Sequence, residues 1–284
     1  MTTNKFQILA SSSSGNAAII EHGDTTILLD AGLSMRKIRL ALQARGKSVD
    51  DLDAVLLTHE HSDHIKGVKM LVKYFPDLPI FASKGTLTKV DDGANVTVIK
   101  RGVSFDIGGL SCHPYRIQHD AQEPLSFRFD GDDGVALGWA TDLGFWDDET
   151  VEHLSGCQTL VVESNHDPEM LRMGPYPAFL KRRVGGSYGH LSNVQARWLV
   201  DRVAHPGLEH VVLGHLSDKN NDPKLAFEMM QEVLRGADTE LVVANLKTES
   251  EARPLRPVQR ERGAPAPIKE AAPVKAPPEQ QRLF

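Results

Sequence analysis

At 284 residues the chain is long enough for one large hydrophobic core or two modest ones. Its net charge of −6 gives no overall basic signature of a nucleic-acid binder, which leaves only a local basic groove for that purpose. Two cysteines, Cys112 and Cys157, exclude a disulfide framework and read as small buried hydrophobes. The N-terminal apolar run is too short for a signal peptide and no window approaches a membrane span, so a cytoplasmic protein without a membrane partner is expected.

Apolar runs of strand character occur at residues 6–10, 17–21 and 25–30, followed by helical spacing over 36–45. A strand at 54–57 and a helix carried by 68–75 and beginning near Asp63 come next. Further strands are expected at 96–99, 125–129, 135–141, 159–163, 210–213 and 240–244, and helices over 168–173, 193–204 and 223–235. Ser192 or Asn193 is the expected N-cap of the 193–204 helix. Strands and helices mixed along the whole folded part imply α/β or α+β layers. From Glu249 to Phe284 the composition turns to Pro, Ala, Gln and charge, which buries too little apolar surface to offset ordering. The expected organisation is therefore one folded domain over 1–248 and a disordered tail over 249–284, the tail being a candidate partner-binding segment.

Most of the chemistry lies in Thr58-His59-Glu60-His61-Ser62-Asp63-His64, directly after the apolar run at 53–57. Three imidazoles and a carboxylate within six positions are costly to pack as core and unusual as surface. Imidazole suits Zn, Fe and Mn, and the carboxylate makes a mixed N/O site. A strand-to-helix loop is where a rigid scaffold displays such residues. The H-x-H-x-D-H motif resembles the metallo-β-lactamase superfamily in its hydrolase form. The resemblance implies that His59 and His61 serve one metal, and Asp63 and His64 a second. His61 stands where the flavo-di-iron branch has Glu, which favours hydrolysis over redox chemistry. The implied fold is α+β, a four-layer αβ/βα sandwich of two mixed sheets with helices on both outer faces.

Further positions match the family's pattern at strand ends. Asp30, in Leu28-Leu29-Asp30-Ala31-Gly32, would orient the metal loop without binding metal. His119 would complete the first metal's set, His215 the second's, and Asp142 would bridge the two ions. Glu163 and His190 are similar to a pair in ribonuclease Z, in which the histidine assists the leaving group and the glutamate holds it. Together with Asp63 they are the expected catalytic residues.

The fullest match is to the YycJ/WalJ-like branch, which is associated with 5′-to-3′ exonuclease activity on DNA. Its segments appear here as Leu9 to Asn16, Thr58 to His64, His119 to Pro124, Thr141 to Gly144, Glu163 to Asp167, Gly189 to Asn193 and His215 to Asn221. Ser12 stands where that branch often has glycine. The stretch between His119 and Asp142 has no room for the tRNA-binding arm usual in ribonuclease Z. That between Asp142 and His215 is too short for the inserted domain of β-CASP nucleases.

The expectation is a binuclear hydrolase holding two divalent ions, Zn or Mn, with Fe as a further possibility. Its substrate would be nucleic acid or a small phosphodiester, contacted by Ser14, Asn16, Asn165, Asn221, Lys181, Arg182 and Arg183. Two other classes stay open: a carboxylic-ester or thioester hydrolase of lactonase or glyoxalase type, and a non-catalytic metal-binding regulator. Gly185-Gly186-Ser187-Tyr188-Gly189 fits the serine-hydrolase elbow G-x-S-x-G, but that motif needs a strand immediately upstream, and 176–184 offers little apolar run.

Overall fold

The structure, a computed structural model, describes residues 4–90, 93–244 and 252–255. Fourteen strands among these residues form two sheets of seven. The first holds β1 (Lys5–Ser12), β2 (Gly15–His22), β3 (Thr25–Leu29), β4 (Ala54–Leu56), β5 (Ile80–Ala82) and β6 (Val96–Val98). The second holds β7 (Phe105–Ile107), β8 (Leu110–Arg116), β9 (Leu125–Gly131), β10 (Ala136–Ala140), β11 (Thr159–Glu163), β12 (His210–Gly214) and β13 (Glu240–Val243). Near the end of the described chain, β14 (Arg253–Pro254) returns to the free edge of β1. Each sheet is mixed, with antiparallel hairpins at one side and a parallel run at the other, β3 to β6 and β10 to β13.

Period-two alternation explains how the layers assemble. On β4, Ala54 and Leu56 face the second sheet, where they join Phe6, Ile20, Phe127, Phe129, Leu137 and Val161 in the central core. Val55 and Leu57 point the other way and pack with Ile38, Ala41 and Leu42 of α1 (Met35–Gln43) and with Leu71 of α3 (Val68–Tyr74). The α2 helix (Ser62–Ile65) is the single turn between them, and α4 (Lys84–Leu87) follows β5. On the second sheet, Leu160, Val162 and Leu213 face α5 (Asp148–Leu154), α8 (Asn193–Val203) and α9 (Pro223–Val233). The result is the four-layer αβ/βα sandwich. Between β11 and α8 lie α6 (Pro168–Met173) and α7 (Ala178–Val184), the latter with no buried residue. Ser192 caps α8, its hydroxyl accepting from Gln195 N, and Gln195 reciprocates.

Two departures from the sequence reading have clear causes. The β8 strand contains Pro114, an ordinary argument against a strand. Its partner β7 pairs only with Leu110 to Cys112, so the missing N–H of Pro114 faces a side where the sheet has already ended. The α7 helix has no apolar stripe from which to be read. Within the segment expected to be disordered, Phe6 of β1 pairs with Arg253, and Leu255 is buried in the central core. The rest of 249–284 lies outside the described residues. Among the described residues no helix is long and apolar enough to cross a membrane.

Candidate metal centre

Every donor-bearing loop leaves the C-terminal end of a strand, and these ends converge at one rim of the sandwich. Asp30 follows β3, the 58–64 loop follows β4, His119 follows β8, Asp142 follows β10, Glu163 ends β11 and His215 follows β12. Asp30, Asp142 and His215 have φ of 58°, 61° and 54°, and they are the non-glycine residues with positive φ among those described. Side chains seldom adopt this conformation, and strain of this kind concentrates at functional sites. Here it turns each side chain back from its strand end toward the rim. Gly32 sits beneath the metal loop, where a Cβ would lie 1.6 Å from the Asp63 carbonyl oxygen.

The histidines form two sets. In the first, His59 Nε2 lies 3.0 Å from His61 Nδ1, and His119 Nε2 lies 3.2 Å from the same atom. The outer nitrogens are already engaged: His59 Nδ1 donates to Thr58 Oγ1, and His119 Nδ1 donates to the Gly189 carbonyl. The inner Nε2 atoms therefore carry lone pairs aimed at one point. Burial pushes the His59 and His119 imidazoles below their ordinary range, so a proton is a poor occupant. In the second set, donor atoms of Asp63, His64 and His215 all lie within 4.8 Å of one another. Asp142 falls in a group with His59 and His64 and in another with Glu163, His190 and His215, so it reaches both sets. His215 Nε2 and Asp142 Oδ2 are buried without a hydrogen-bond partner. Converging lone pairs and orphaned buried donors fit divalent cations, and the N/O donor set suits Zn, Mn or Fe.

Carboxylates hold the His64, His190 and His215 rings from behind. Asp30 accepts from His64 Nδ1 at 2.7 Å and also from Thr58 N and Oγ1. Burial opposes the charged form of His64, but Asp30 and Asp142 outweigh it and raise the ring to about 9. Glu163 Oε1 accepts from His190 Nδ1 and His215 Nδ1, while Oε2 accepts from the amides of Leu143 and Leu191. Burial again opposes ionisation, but His190 and His215 beside Glu163 lower it to about 2. His190 is the partly exposed member of this pair, with 19% of its side chain accessible.

The residues expected to contact substrate divide. Asn16 Nδ2 lies 3.1 Å from Asp63 Oδ2 and 3.0 Å from His64 Nε2, at the centre itself. Ser14 is exposed in the β1–β2 turn, bonded to Ser12 Oγ. Arg183 Nε donates to Asp120 Oδ2 at 2.6 Å, at the edge of the first set. Lys181 Nζ is turned to the Arg172 carbonyl and Arg182 is exposed. Asn165 and Asn221 are buried. Asn165 Nδ2 donates to the His215 carbonyl, and Asn221 Nδ2 donates to the carbonyls of Ser164 and Asn165. These bonds tie the 163–166 and 215–221 loops together beside the centre.

Sequence reasoning missed three supporting residues. Thr58 bridges Asp30 to His59, and Ser11 Oγ accepts from His215 N at 2.7 Å. Asp120 Oδ1 lies 3.5 Å from His119 Nε2 and 3.8 Å from His61 Nε2. Burial opposes its ionisation, but the Arg183 hydrogen bond and His119 hold its carboxyl below the usual range. Thr58 and Asp120 adjoin histidines of the two sets in the sequence, which was the available signal; Ser11 lies in the matched segment Leu9 to Asn16, but its pairing with the distant His215 could not be read from it.

An αββα sandwich with two histidine–carboxylate sets at the C-terminal strand ends defines a metal-dependent hydrolase. Residues 25–216 match the family model described as the beta-lactamase superfamily domain. The chain is 34% identical over 242 residues to exodeoxyribonuclease WalJ of Streptococcus pneumoniae serotype 2 (strain D39), covering 82% of this chain and 89% of that protein. It is 33% identical over 235 residues to exodeoxyribonuclease YycJ of Bacillus anthracis, covering 81% and 88%. The metallo-beta-lactamase fold protein YhfI from Bacillus subtilis superposes with a TM-score of 0.68 at 16% identity, covering 87% of this chain and 99% of that one. The chain belongs to the metallo-β-lactamase superfamily, whose fold implies divalent metal cofactors.

Proposed function

We propose that the protein is an exodeoxyribonuclease that hydrolyses DNA phosphodiesters with two divalent ions, Zn or Mn, in the cytoplasm. His59, His61 and His119 would hold one ion, Asp63, His64 and His215 the other, with Asp142 between them. The observation that carries the phosphodiester reading is the Glu163–His190 pair, a partly exposed imidazole fixed by a buried carboxylate beside both sets. Similarity to two exodeoxyribonucleases along most of the chain supports the same reading.

Bound divalent ions supply Lewis acidity and activate water near neutral pH, with its pKa brought toward ~7. The chain's own residues do the rest. Glu163 accepts from His190 Nδ1, fixes the ring plane and balances the positive charge that the ring carries as a proton donor. His190 Nε2 is then the atom that gives a proton to the departing ester oxygen. Asn16 Nδ2 donates to Asp63 Oδ2 and to the Ser12 carbonyl, and so holds the Asp63 carboxylate in place against the β1–β2 turn. Arg183, anchored through Nε to Asp120, keeps terminal guanidinium nitrogens available for a phosphate.

The deciding experiment is a substrate panel in Mn and in Zn: 5′-labelled DNA, 5′-labelled RNA, a nitrophenyl phosphodiester, a lactone and a thioester. Stepwise shortening of DNA, abolished by chelator, is expected. Hydrolysis restricted to the lactone or thioester would overturn the assignment.

A further inference from the structure

Beside the donor sets runs a segment whose exposure the metal chemistry does not explain. From Pro168 to His190 the sequence carries four cations against one carboxylate, in a chain of net charge −6. The same stretch leaves Phe179 66% and Tyr188 56% exposed. The α7 helix has no buried residue, so Phe179 is not a core residue showing one edge. Its exposure costs solvation without returning packing in the free protein.

The segment is joined to the centre at three points. Arg183 Nε donates to Asp120 Oδ2, Asp120 N donates to the Tyr188 carbonyl at 3.1 Å, and His190 N donates to the Val184 carbonyl at 2.9 Å. Asp120 in turn neighbours His119 and His61. Phe179 and Arg183 are four residues apart on one helix, so they share a face, with a Cβ separation of about 5–6 Å. Arg183 is therefore the step between the metal rim and Phe179. Tyr188 is tied to the same rim through its backbone carbonyl, which accepts from Asp120 N, and its side chain is exposed.

Aromatic faces alternating with guanidinium groups, leading away from a hydrolytic centre, match the chemistry of single-stranded nucleic acid. Bases stack on aromatic rings whatever their sequence, and cations follow the phosphates. A protein partner fits less well, because the middle of a protein interface is depleted of charge, whereas here the cations adjoin the aromatic residues. We propose that Phe179 and Tyr188, with Arg182 and Arg183, form a stacking platform for the single-stranded part of the DNA substrate, holding nucleotides next to the scissile bond. This rests on the nuclease reading and adds a binding surface outside the donor sets.

The test measures binding and cleavage separately. Binding of a fluorescent single strand of about 12 nucleotides, within the span such platforms cover, is followed by anisotropy in metal-loaded protein carrying His190→Ala, in which cleavage is slow. Phe179→Ala and Tyr188→Ala should each weaken binding by roughly 5- to 150-fold, the usual loss of one stacked base. Phe179→Trp should restore it and Phe179→Leu should not, since a merely apolar contact would accept leucine. In metal-loaded protein, the ratio of kcat/KM on the oligonucleotide to kcat/KM on a nitrophenyl phosphodiester should fall for Phe179→Ala. It should hold for Leu40→Ala, an exposed apolar residue on α1. Tight binding and cleavage by both alanine variants at parent levels would overturn the platform and leave the nuclease assignment standing. No oligonucleotide binding by the parent would overturn both. Loss of self-association in Phe179→Ala, with DNA binding intact, would make a second copy of the chain the occupant and would also overturn the proposal.

Discussion

Glu163 Oε1 lies 2.8 Å from His190 Nδ1, and the same oxygen lies 2.7 Å from His215 Nδ1. One carboxylate oxygen thus orients both the proposed proton donor and a proposed metal ligand. The sequence assigns Glu163 only the first of these tasks.

That shared oxygen separates two variants. His190→Ala should keep its metal content and melting temperature while phosphodiester hydrolysis slows about 10²–10⁴-fold, the usual worth of acid–base assistance. The defect should shrink on a nitrophenyl diester, whose leaving group needs little protonation. Glu163→Gln should lose that rate and also weaken metal affinity about 10–100-fold, because His215 loses its orienting partner. Metal titration of the two purified variants checks this; equal affinities would separate Glu163 from His215 function.

Gly32 offers a test remote from the chemistry. A methyl group there meets the Asp63 carbonyl oxygen at 1.6 Å, so the metal loop must shift. Gly32→Ala should lose bound metal and activity with every ligand side chain still present. Full metal occupancy in that variant, measured by elemental analysis, would mean that the loop moves freely and that its position is not set here.

Two truncations distinguish the β14 edge of the sandwich from the residues C-terminal to it. Stopping after Leu255 should leave the melting temperature unchanged. Stopping after Lys247 removes the strand on β1 and uncovers the Leu255 site, at a cost of roughly 1.5–3 kcal/mol for the side chain alone. Thermal unfolding of both truncated chains, which should differ by several degrees, decides whether the boundary lies near residue 248 or beyond 255.

His166 sets a pH dependence. Burial, with His190 nearby, lowers this ring from 6.5 to about 4. An unfolded chain protonates it first, so its contribution is present above pH 6.5 and is lost as pH falls through the window down to about 4. The loss is up to roughly 3 kcal/mol. His166→Gln should therefore lose less stability than the parent between about pH 7 and pH 4.5 in urea unfolding. Parallel losses in the two proteins would remove His166 from the account.

The sandwich and most of its donor positions were legible because two kinds of local signal coincide. Apolar runs at 54–57, 159–163 and 210–213 are buried on both faces, and each ends at a functional side chain, so strand and site mark each other. Where burial and side-chain chemistry separate, the reading fails. The β5 strand is three residues long, α7 buries nothing, and β8 carries a proline that only its missing neighbour permits. For Asn165 and Asn221 the sequence does not reveal that an N–H of each donates to a backbone carbonyl. Ser11 and His215 meet only through the pairing of distant segments.

Each proposed donor set takes two members from the loop after β4 and one from the second sheet, His119 in one case and His215 in the other. Neither half of the chain therefore owns a complete chelate. An isolated first half would offer bidentate sites, with affinities far below those of the closed sets, and the second half would offer one imidazole to each set beside Asp142. Ion capture should consequently report docking of the halves, and a bound ion would act as a clasp whose release loosens the sandwich at that rim first. Stripping the protein with chelator should lower its melting temperature and raise amide exchange in the 58–64 and 215–221 loops ahead of the central core.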